Sequence, residues 1–327
     1  MSPTTLAPDR HATEQAREVL AALRPQIDGE ARFDRYTRML YATDASLYQV
    51  MPLGVVMPRT TEDVHATLGV ARRFGVPIIA RGGGSSLEGQ TTGAGIVLDF
   101  SKYMHHVLSV DAEARTARVQ PGLVLDALNR NLAPLGLMYG PDPASSNRAT
   151  FGGMIGNNST GAHSILYGMT HDHVHELRVL LADGTETTMA ELTPDRFRQK
   201  MALDTHEGAV YRLSQRLAQE HRDEIERRYP RHWRAVSGYG LDRMVDAEPW
   251  NLAQLLVGSE GTLALTLDAT LNLVPRPTKT ALAIVHFHTL DEAMEAVPRL
   301  LEIEPSAIEL IDRYMIGLTR EAPQYAR

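Results

Sequence analysis

The first third of the chain combines short apolar runs with one amphipathic segment. Residues 54–58 form an apolar run typical of a buried strand, and residues 76–80 form a second. Between them, Thr60 followed by Asp63 predicts a capped helix start, and Gly75 predicts the helix end. The pattern therefore predicts a strand, a helix and a strand in one βαβ unit.

Alternation of apolar and polar residues with a period of two dominates the middle of the chain. Residues 106–110 and 116–120 predict one hairpin, and residues 174–181 and 185–189 predict another around an Asp-Gly turn. Over residues 262–273, leucine and alanine alternate with polar side chains, which predicts a longer strand. Antiparallel pairs after a βαβ unit indicate an α+β fold.

Amphipathic segments predict helices at residues 13–23 and 208–229, the second ended by Pro230. The predicted buried face of the second helix consists of Val210, Leu213, Leu217 and Ile225. Beyond a boundary at Pro275-Arg276-Pro277, residues 281–287 predict a strand and residues 291–302 a helix. About fifty residues of this kind are too few to form a core of their own.

A glycine-rich loop, Arg81-Gly82-Gly83-Gly84-Ser85-Ser86, follows the second predicted strand. Consecutive glycines can turn successive N–H groups toward one point and form a concave anion site, and serine hydroxyls add donors at its rim. The loop therefore predicts a site for a diphosphate.

Two common phosphate-binding motifs do not fit this loop. A G-x-G-x-x-G fingerprint that begins at Gly82 would need glycine at Leu87. A Walker motif would need lysine where Gln90 stands, and no helix fits between Gln90 and the next apolar run. A glycine-rich hairpin loop without a ligand remains the alternative.

A second segment rich in small residues runs from Tyr139 to Gly161. Glycine lets the backbone approach a flat aromatic ligand closely, and Asn and Ser supply donors, so this segment suits an aromatic group. Ordinary loop packing is the alternative. His163, just beyond the segment, is the candidate catalytic base, although sequence spacing does not establish its role.

Three histidines, His171, His173 and His175, alternate along the chain and would share one face of a strand. Neighbouring histidines can bind zinc, but the sequence fixes no carboxylate partner beside them. We therefore expect strand histidines and no metal site.

Composition narrows the class of protein further. The 327 residues exceed the usual size of one core, so two lobes are expected, and the net charge of −7 argues against a nucleic-acid partner. The absence of cysteine excludes disulfides, thiolate nucleophiles and iron–sulfur clusters on this chain. No apolar run is long enough for a transmembrane segment, and residues 1–8 lack the layout of a signal peptide, so a cytoplasmic location is expected.

Four motifs in this order resemble the FAD-binding flavoenzymes related to vanillyl-alcohol oxidase. They lie at residues 58–64, 77–86, 152–158 and 258–263. Within that superfamily, residues 42–48 and 237–242 resemble the D-lactate, glycolate and D-2-hydroxyglutarate dehydrogenase branch. The similarity is to the N-terminal part of its large bacterial members, which also carry a cap domain and an iron–sulfur region.

The resemblance implies a fold and an organisation of the chain. The fold is α+β, a PCMH-type FAD-binding fold of two α/β subdomains followed by the start of a ferredoxin-like cap domain. Residues 1–53 would be an N-terminal helix and arm, and residues 54–276 the FAD-binding domain, with a helical insertion at about 190–250. Residues 277–327 would begin a substrate-binding cap domain and leave it incomplete.

The resemblance also implies the cofactor and its ligands. FAD would bind non-covalently, because the glycine-rich loop lacks the histidine that often attaches the flavin in this superfamily. The implied cofactor-binding residues are Arg81, Gly82, Gly83, Gly84, Ser85, Ser86, Gln90, Pro141, Asp142, Ser145, Ser146, Thr150, Gly152, Gly153, Gly156, Asn157, Asn158, Gly161, Glu260, Gly261 and Thr262.

The function implied is that of an FAD-dependent dehydrogenase. It would transfer hydride from C2 of a D-2-hydroxy acid, of the D-lactate, glycolate or D-2-hydroxyglutarate type, to flavin N5. The electron acceptor, an iron–sulfur region, a quinone or a flavoprotein, would lie outside this chain, in the cytoplasm or at the inner membrane surface.

Two features of such enzymes have no counterpart before Arg327: the histidine-containing motif of the cap domain and the iron–sulfur cysteines. We therefore expect the chain to be the cofactor-binding portion of a larger enzyme, which binds FAD but oxidises 2-hydroxy acids poorly by itself. The first alternative is a non-catalytic flavin-binding subunit that passes electrons within a complex. The second is a binding protein for other phosphorylated ligands.

Overall fold

Two main sheets, of four and six strands, organise the chain. The computed structural model describes residues 10–323. Its α-helices are α1 (Arg10–Leu23), α2 (Arg35–Leu40), α3 (Thr61–Phe74), α4 (Leu125–Leu132), α5 (Phe151–Asn157), α6 (Ser164–Tyr167), α7 (Pro194–Met201), α8 (His206–Glu220), α9 (Arg222–Arg228), α10 (Ala253–Leu256), α11 (Leu290–Leu301) and α12 (Arg313–Glu321). Its strands are β1 (Glu30–Arg32), β2 (Gly54–Met57), β3 (Ile78–Arg81), β4 (Ile96–Asp99), β5 (Val107–Asp111), β6 (Thr116–Val119), β7 (Leu137–Met138), β8 (Val174–Leu180), β9 (Glu186–Leu192), β10 (Trp250–Asn251), β11 (Leu265–Asn272) and β12 (Val274–Pro275). The predicted α+β class is confirmed.

The first sheet contains the predicted βαβ unit. Its strand order is β1-β2-β4-β3, with β4 parallel to both β2 and β3, and α3 connects β2 to β3. The predicted capping box of Thr60 and Asp63 is present, and α3 ends at Gly75 in the left-handed conformation, with φ of 63°. Because β3 lies at the sheet edge, the glycine-rich loop that follows it starts at the carboxyl end of an edge strand.

The core of this first lobe forms between the sheet and two helices. Val19 and Leu23 of α1, Val64 of α3, and Ile96 and Leu98 of β4 are fully buried in one cluster. Each such side chain contributes roughly 2 kcal/mol by leaving water. This packing holds the edge strand β3, and hence the start of the glycine-rich loop, in place.

The second sheet is antiparallel and runs in the order β10-β9-β8-β11-β6-β5. The predicted hairpins are β5 with β6 and β8 with β9, and β11 pairs with both β6 and β8. The long strand predicted over residues 262–273 is thus confirmed as the centre of this sheet. Its alternation is interrupted at Asp268, a buried carboxylate between leucine and alanine.

The prediction of one helix over residues 208–229 is wrong in two respects. The segment forms α8 and α9, which meet at His221. The buried face of α8 includes Tyr211 and Ala218, whereas Leu213 is 45% exposed. Tyr211 packs edge-on against Phe197 at 5.7 Å between ring centroids, so an aromatic contact from another helix decides which face is buried.

The strand predicted over residues 281–287 is also wrong, because the structure has no strand there. Leu282 is 88% exposed and Ile284 73% exposed, and the segment pairs with no strand in the described part of the chain. A β-strand depends on a paired neighbour, which explains why an apolar run alone is not sufficient. The helix predicted at 291–302 is confirmed as α11, but neither α11 nor α12 has a buried residue.

Glu30 on β1 fixes the chain that leaves β4. Its carboxylate forms an ion pair with Lys102, accepts a hydrogen bond from the Tyr103 hydroxyl at 2.5 Å and accepts one from Arg32 Nε at 2.7 Å. These contacts, led by Lys102, lower the pKa of Glu30 from 4.5 to about 2. The stabilisation is therefore complete above the unfolded pKa and is lost as the pH falls through the folded pKa.

We expect Glu30→Gln to lower the free energy of unfolding at pH 7 and to have progressively less effect as the pH falls from 4.5 toward about 2. Urea unfolding of both proteins across this range measures the difference. Glu113→Gln, in the exposed turn between β5 and β6, is the control and should show no comparable pH dependence. A deficit for Glu30→Gln that is the same at every pH would contradict this account.

Candidate functional site

A groove lies where the first lobe meets the second. The carboxyl end of β3 and the glycine-rich loop form one wall, and α5 with the loop between α10 and β11 forms the other. The residues that line it are Ala80, Arg81, Gly82, Ser86, Gln90, Thr91, Phe100, Pro121, Gly152, Gly153, Ile155, Gly156, Asn157, Leu256, Ser259, Glu260, Gly261, Ala264 and Thr266. Both glycine-rich segments identified in the sequence therefore reach one cavity.

The glycine-rich loop approaches the second lobe so closely that side chains do not fit. A Cβ atom on Gly82 would lie 1.9 Å from Thr150 Oγ1, and one on Gly83 would lie 2.4 Å from the carbonyl oxygen of Arg148. Gly84 has φ of 63°, a conformation that costs other residues free energy. Gly82 and Gly83 thus allow the backbone of the loop to approach the second lobe, and Gly84 allows the loop to turn.

Thr150, which Gly82 approaches, has a buried side-chain hydroxyl. The residue is 2% exposed, and its Oγ1 has no hydrogen-bond partner in the described part of the chain. A buried hydroxyl without a partner costs about 1–3 kcal/mol. Because Gly82 lies between this hydroxyl and the groove, Thr150 fits a role in packing against the loop. The residues that fit a diphosphate-containing cofactor such as FAD are Gly82, Ser86 and Arg81, which line the groove.

Arg81 supplies the positive charge of the loop. Its guanidinium folds back beneath the loop, where a Cβ on Gly84 would lie 2.5 Å from Nη2, and its Nη1 donates to the carbonyl of Thr91 at 3.4 Å. The ring of Tyr41 lies 5.2 Å away. No carboxylate of the described residues pairs with Arg81, so its charge is available to an anion in the groove.

The N-terminal arm holds the loop from the outside. The backbone N–H of Ala45 donates to the carbonyl of Gly84 at 3.1 Å, and the hydroxyl of Thr91 donates to Asp44 Oδ2 at 3.0 Å. These bonds restrain Gly84 inside the loop and Thr91 beyond its C-terminal end. Residues 42–48, which carried part of the family resemblance, therefore act on the cofactor loop through direct contacts.

Helix α5 presents its glycines to the groove because its large residues point the other way. Phe151 and Met154 are almost completely buried in the core of the second lobe, whereas Gly152, Gly153 and Gly156 line the cavity together with Ile155 and Asn157. Because three of the five lining residues of α5 are glycines, the helix leaves room for a ligand against its backbone.

The C-terminal end of α5 is fixed by Asn158. This residue is buried and left-handed, with φ of 54°, and its side-chain oxygen accepts the backbone N–H of His171 at 3.0 Å. Asn158 therefore positions α5 from behind the groove, and the structure does not place it among the lining residues.

The loop between α10 and β11 docks onto the last turn of α5. The N–H of Gly258 donates to the carbonyl of Ile155 at 2.9 Å, and the N–H of Glu260 donates to the carbonyl of Gly156 at 2.8 Å. Gly258, Glu260 and Gly261 all have positive φ values, which turn the loop sharply. Burial raises the pKa of the Glu260 carboxyl, and a hydrogen bond from the Gln90 side chain partly opposes this.

A second cavity adjoins the first and shares Gln90, Ser259 and Glu260 with it. Its remaining lining residues are Glu88, Val236, Ser237, Gly238, Tyr239, Gly258 and Thr262. The hydroxyl groups of Tyr239 and Thr262 lie 2.9 Å apart, which connects residues 236–239 to the loop before β11. Thr262, predicted as a cofactor ligand, lines this second cavity.

Several predicted cofactor ligands lie outside both sets of lining residues. Gly83, Gly84 and Ser85 lie within the glycine-rich loop, and Thr150 is buried behind Gly82. The segment before α5 contains Pro141, Asp142, Ser145 and Ser146, and the chain after α5 contains Asn158 and Gly161. Ser145 and Ser146 form backbone turns there, next to the Arg148 carbonyl that contacts Gly83.

His163 and Asp142 form a close pair. His163 Nδ1 lies 2.5 Å from Asp142 Oδ2, and the backbone N–H of His163 donates to Asp142 Oδ1 at 3.0 Å. Gly161 packs against the same aspartate, where a Cβ would lie 2.2 Å from its carbonyl oxygen. The pair orients the imidazole so that Nε2 is its free ring atom.

The groove also includes residues that the sequence analysis missed, notably Phe100, Pro121, Leu256 and Ala264. They lie at the ends of β4, β6 and α10 and just before β11. Apolar residues at such positions have no distinctive spacing, so the sequence offered no signal for them.

The histidine run does not share a face, contrary to the prediction. His171 and His173 lie in a 3-10 turn, and His173 is buried, with Nε2 2.6 Å from the carbonyl oxygen of Tyr167. Only His175 lies on β8. Within residues 10–323, no group of three or more potential ligands is arranged to hold a metal ion.

Comparison with known proteins identifies the cofactor-binding part of the chain. Residues 52–190 match a protein family described as FAD binding domain. This part of the chain is an FAD-binding domain. The match includes the glycine-rich loop and α5 but not the loop between α10 and β11, and it confirms the FAD cofactor and the flavoenzyme family implied by the motifs.

Curated relatives of this FAD-binding chain are longer proteins. D-2-hydroxyglutarate dehydrogenase of Pseudomonas putida is 36% identical over 306 residues, which cover 92% of this chain and 30% of that protein. The enzyme of the same name from Escherichia coli is 33% identical, over 87% of this chain and 28% of its own length. Glycolate oxidase subunit GlcD of Bacillus subtilis is 32% identical, over 88% and 52%. The chain thus spans about a third to a half of these relatives.

Solved structures share the fold. Two crystal forms of alkyldihydroxyacetonephosphate synthase align with TM-scores of 0.61 and 0.60 at 22% identity. They cover 94% and 93% of this chain, and 48% and 52% of their own chains. Separately, none of the helices between residues 10 and 323 has the length and apolar character needed to cross a bilayer.

Proposed function

We propose that this chain is the FAD-binding portion of a dehydrogenase that oxidises a D-2-hydroxy acid of the D-lactate, glycolate or D-2-hydroxyglutarate type. The observation that carries the proposal is the convergence of Gly82, Gly153 and Glu260 on one groove within and beside an FAD-binding domain. Relatives named D-2-hydroxyglutarate dehydrogenase and glycolate oxidase support the substrate class. Bound FAD would supply a hydride acceptor for C2 of the hydroxy acid.

The chain's own residues would hold the cofactor non-covalently. The N–H groups of the glycine-rich loop and the charge of Arg81 suit the diphosphate. The glycines of α5 let a flat ring lie against the helix backbone. The remaining predicted ligands, Asp142 and Ser145 among them, would then position these walls from behind.

His163 is our candidate for the proton acceptor. Its Nδ1 contact with Asp142 fixes the ring and would stabilise the imidazolium that forms when Nε2 accepts the hydroxyl proton of the substrate. The oxidation releases one proton and one hydride, and His163 would take the proton.

Further parts of the proposal concern the rest of the chain. Residues 277–327 would begin a cap domain for the substrate, which is supported by the exposed apolar residues of α11 and α12. An electron acceptor outside the chain, either an iron–sulfur region, a quinone or a flavoprotein, would reoxidise the cofactor in the cytoplasm or at the inner membrane. The alternative is a flavin-binding subunit without its own substrate.

We expect the purified chain to absorb in the visible flavin bands and to release FAD on heating, since FAD would be held without a covalent bond. D-2-hydroxyglutarate, D-lactate and glycolate are added under anaerobic conditions, with L-lactate as the control. We expect the D-acids, but not L-lactate, to bleach the flavin, and to do so slowly. An anionic substrate needs a cationic partner, and Arg81, the only basic residue among the described residues that line the two cavities, is assigned to the diphosphate.

The same experiment separates the alternatives. A colourless protein that takes up no FAD would refute the proposal, and bleaching by no hydroxy acid, even in a protein that includes a cap domain, would favour the electron-transfer subunit. For His163→Asn in such a protein, we expect slower bleaching with an unchanged FAD content. Equal bleaching rates would remove His163 from the mechanism.

A further inference from the structure

Glu260 stands out among the residues of the groove because it places a carboxyl group beside an anion site. It lines both cavities, and its neighbour Gly261 lies across from the end of β3, with a Cβ on Gly261 3.9 Å from Ala80 Cβ. Ala80 is two residues before Gly82, where the glycine-rich loop begins. Glu260 therefore belongs to the wall opposite β3 and lines the same cavity as Gly82 and Ser86 of the proposed diphosphate site.

The backbone of Glu260 is held in an unfavourable conformation. Its φ is 54°, and the hydrogen bond from its N–H to the Gly156 carbonyl fixes this geometry on α5. A left-handed conformation costs a residue with a side chain roughly 1–2 kcal/mol. The two neighbouring positions with positive φ, Gly258 and Gly261, are glycines that avoid this cost. Such strain at a cavity indicates that the side chain contributes something that glycine would not.

The charges around Glu260 leave its carboxyl without a cationic partner. Arg81 lines the first cavity and Glu88 lines the second, and the only titratable group that residues 236–239 contribute is the phenol of Tyr239. The lining residues of α5 and β11 are uncharged. Arg81 is turned beneath Gly84, and the described ion pairs do not include Glu260, whose polar neighbour is the amide of Gln90.

A dianionic diphosphate in the groove would act on this carboxyl strongly. An ionised Glu260 would repel it, whereas a protonated carboxyl has no charge and can donate one hydrogen bond to an anionic oxygen. Burial in the groove already raises the pKa of Glu260, and the arriving negative charge would raise it further. Burial and the charge of the diphosphate therefore both favour the protonated form of Glu260.

We propose that Glu260 engages FAD as a neutral carboxylic acid, so that the carboxyl takes up a proton as the cofactor enters the groove. This inference rests on the proposed function, because it requires FAD to occupy the groove. By linkage, FAD affinity falls as the pH rises from the pKa of free Glu260 to that of the complex, by at most tenfold per pH unit for one proton. The described residues that line the cavities include no histidine that could produce the same effect.

The test measures FAD binding to the whole chain by calorimetry, between about pH 5 and about pH 8, in two buffers with different heats of ionisation. The apo protein is prepared first, and FAD itself is the probe. Wild-type protein should take up protons on binding, and its affinity should fall by about tenfold over this range. Glu260→Gln should take up none and should bind FAD about tenfold more tightly than wild type at the upper pH.

Glu88→Gln is the matched control, because it makes the same change in the second cavity and should keep the proton uptake. FAD binding by wild type without proton uptake, or uptake that persists in Glu260→Gln, would overturn the inference and leave the proposed function intact. FAD binding at no pH would overturn both. The wild-type measurement decides the matter even if Glu260→Gln fails to fold.

Discussion

Gly82→Ala is expected to lower the affinity for FAD by about 100-fold, which corresponds to about 2.7 kcal/mol. The added Cβ would lie 1.9 Å from Thr150 Oγ1 and 3.1 Å from Thr150 Cβ, so either the loop or α5 must move. Either movement separates the N–H groups of the loop from the helix that faces them, and the diphosphate site loses its shape. Quenching of flavin fluorescence during titration of the apo protein measures the loss.

Two further variants make this result specific. Gly69→Ala lies in α3, where a Cβ would meet no atom within 4 Å, and it should leave FAD affinity unchanged and stabilise the helix by up to about 1 kcal/mol. The double variant Gly82→Ala/Thr150→Ala removes the closest clashing atom and should recover part of the affinity. Wild-type affinity in the single variant would show that close contact between loop and helix is unnecessary for binding.

Asp268→Ala is expected to lower the free energy of unfolding by about 3 kcal/mol. Asp268 lies at the centre of the six-stranded sheet and is 3% exposed. Its carboxylate accepts hydrogen bonds from Arg118 Nε at 2.7 Å and Nη2 at 3.0 Å, and from Arg178 Nη1 at 3.3 Å. Removal of the carboxylate leaves two arginines, both partly buried, facing each other across β11.

Asp195→Ala is the matched control, because Asp195 also pairs with an arginine but its side chain is 80% exposed. Its loss should cost less than about 0.5 kcal/mol, since exposed ion pairs are weak. Urea unfolding monitored by circular dichroism compares the two variants with wild type. If both variants lose the same free energy of unfolding, burial does not determine how much the ion pairs of Asp268 contribute to stability.

The ion pairs around Asp268 continue to the first lobe and so connect the two lobes that form the groove. Arg178 also binds Glu186 at 2.6 Å, and Glu186 binds His65 of α3 at 2.8 Å. These contacts connect the central strand of the second sheet to the helix that supports the glycine-rich loop. The β11 strand that carries Asp268 also supplies Thr266 to the groove.

Local signals in the sequence were sufficient for much of the first lobe. The capping box of Thr60 and Asp63, the stop at Gly75 and the apolar runs on either side are properties of neighbouring residues. The same holds for the Asp-Gly turn between β8 and β9, where hydrogen bonding within the turn fixes the hairpin. Such features need few distant contacts, so they can be derived without the fold.

Features that depend on distant partners were predicted poorly. The apolar run at residues 281–287 has the composition of a strand but pairs with no strand in the described chain. Leu213 was predicted to be buried, but Tyr211 is buried on that helix and Leu213 is exposed. In the same way, the histidine run looked like one face of a strand, yet His173 is drawn into the core by the carbonyl of Tyr167. The histidine contact spans only six residues, but like the Phe197–Tyr211 contact and the lack of a strand partner within the described residues, it depends on the folded structure and not on the alternation of residue types.

The sequence by itself determined which backbone segments can approach an FAD molecule, because consecutive glycines and a helix with one bulky face are local properties. Only the tertiary structure decided which of these segments meet. It brought Gly82 against Thr150 and bonded the backbone of Glu260 to the last turn of α5, and it left Asp142 and Ser145 outside the lining of the groove. The reason is physical: the groove forms between two lobes whose packing depends on contacts between residues far apart in the chain.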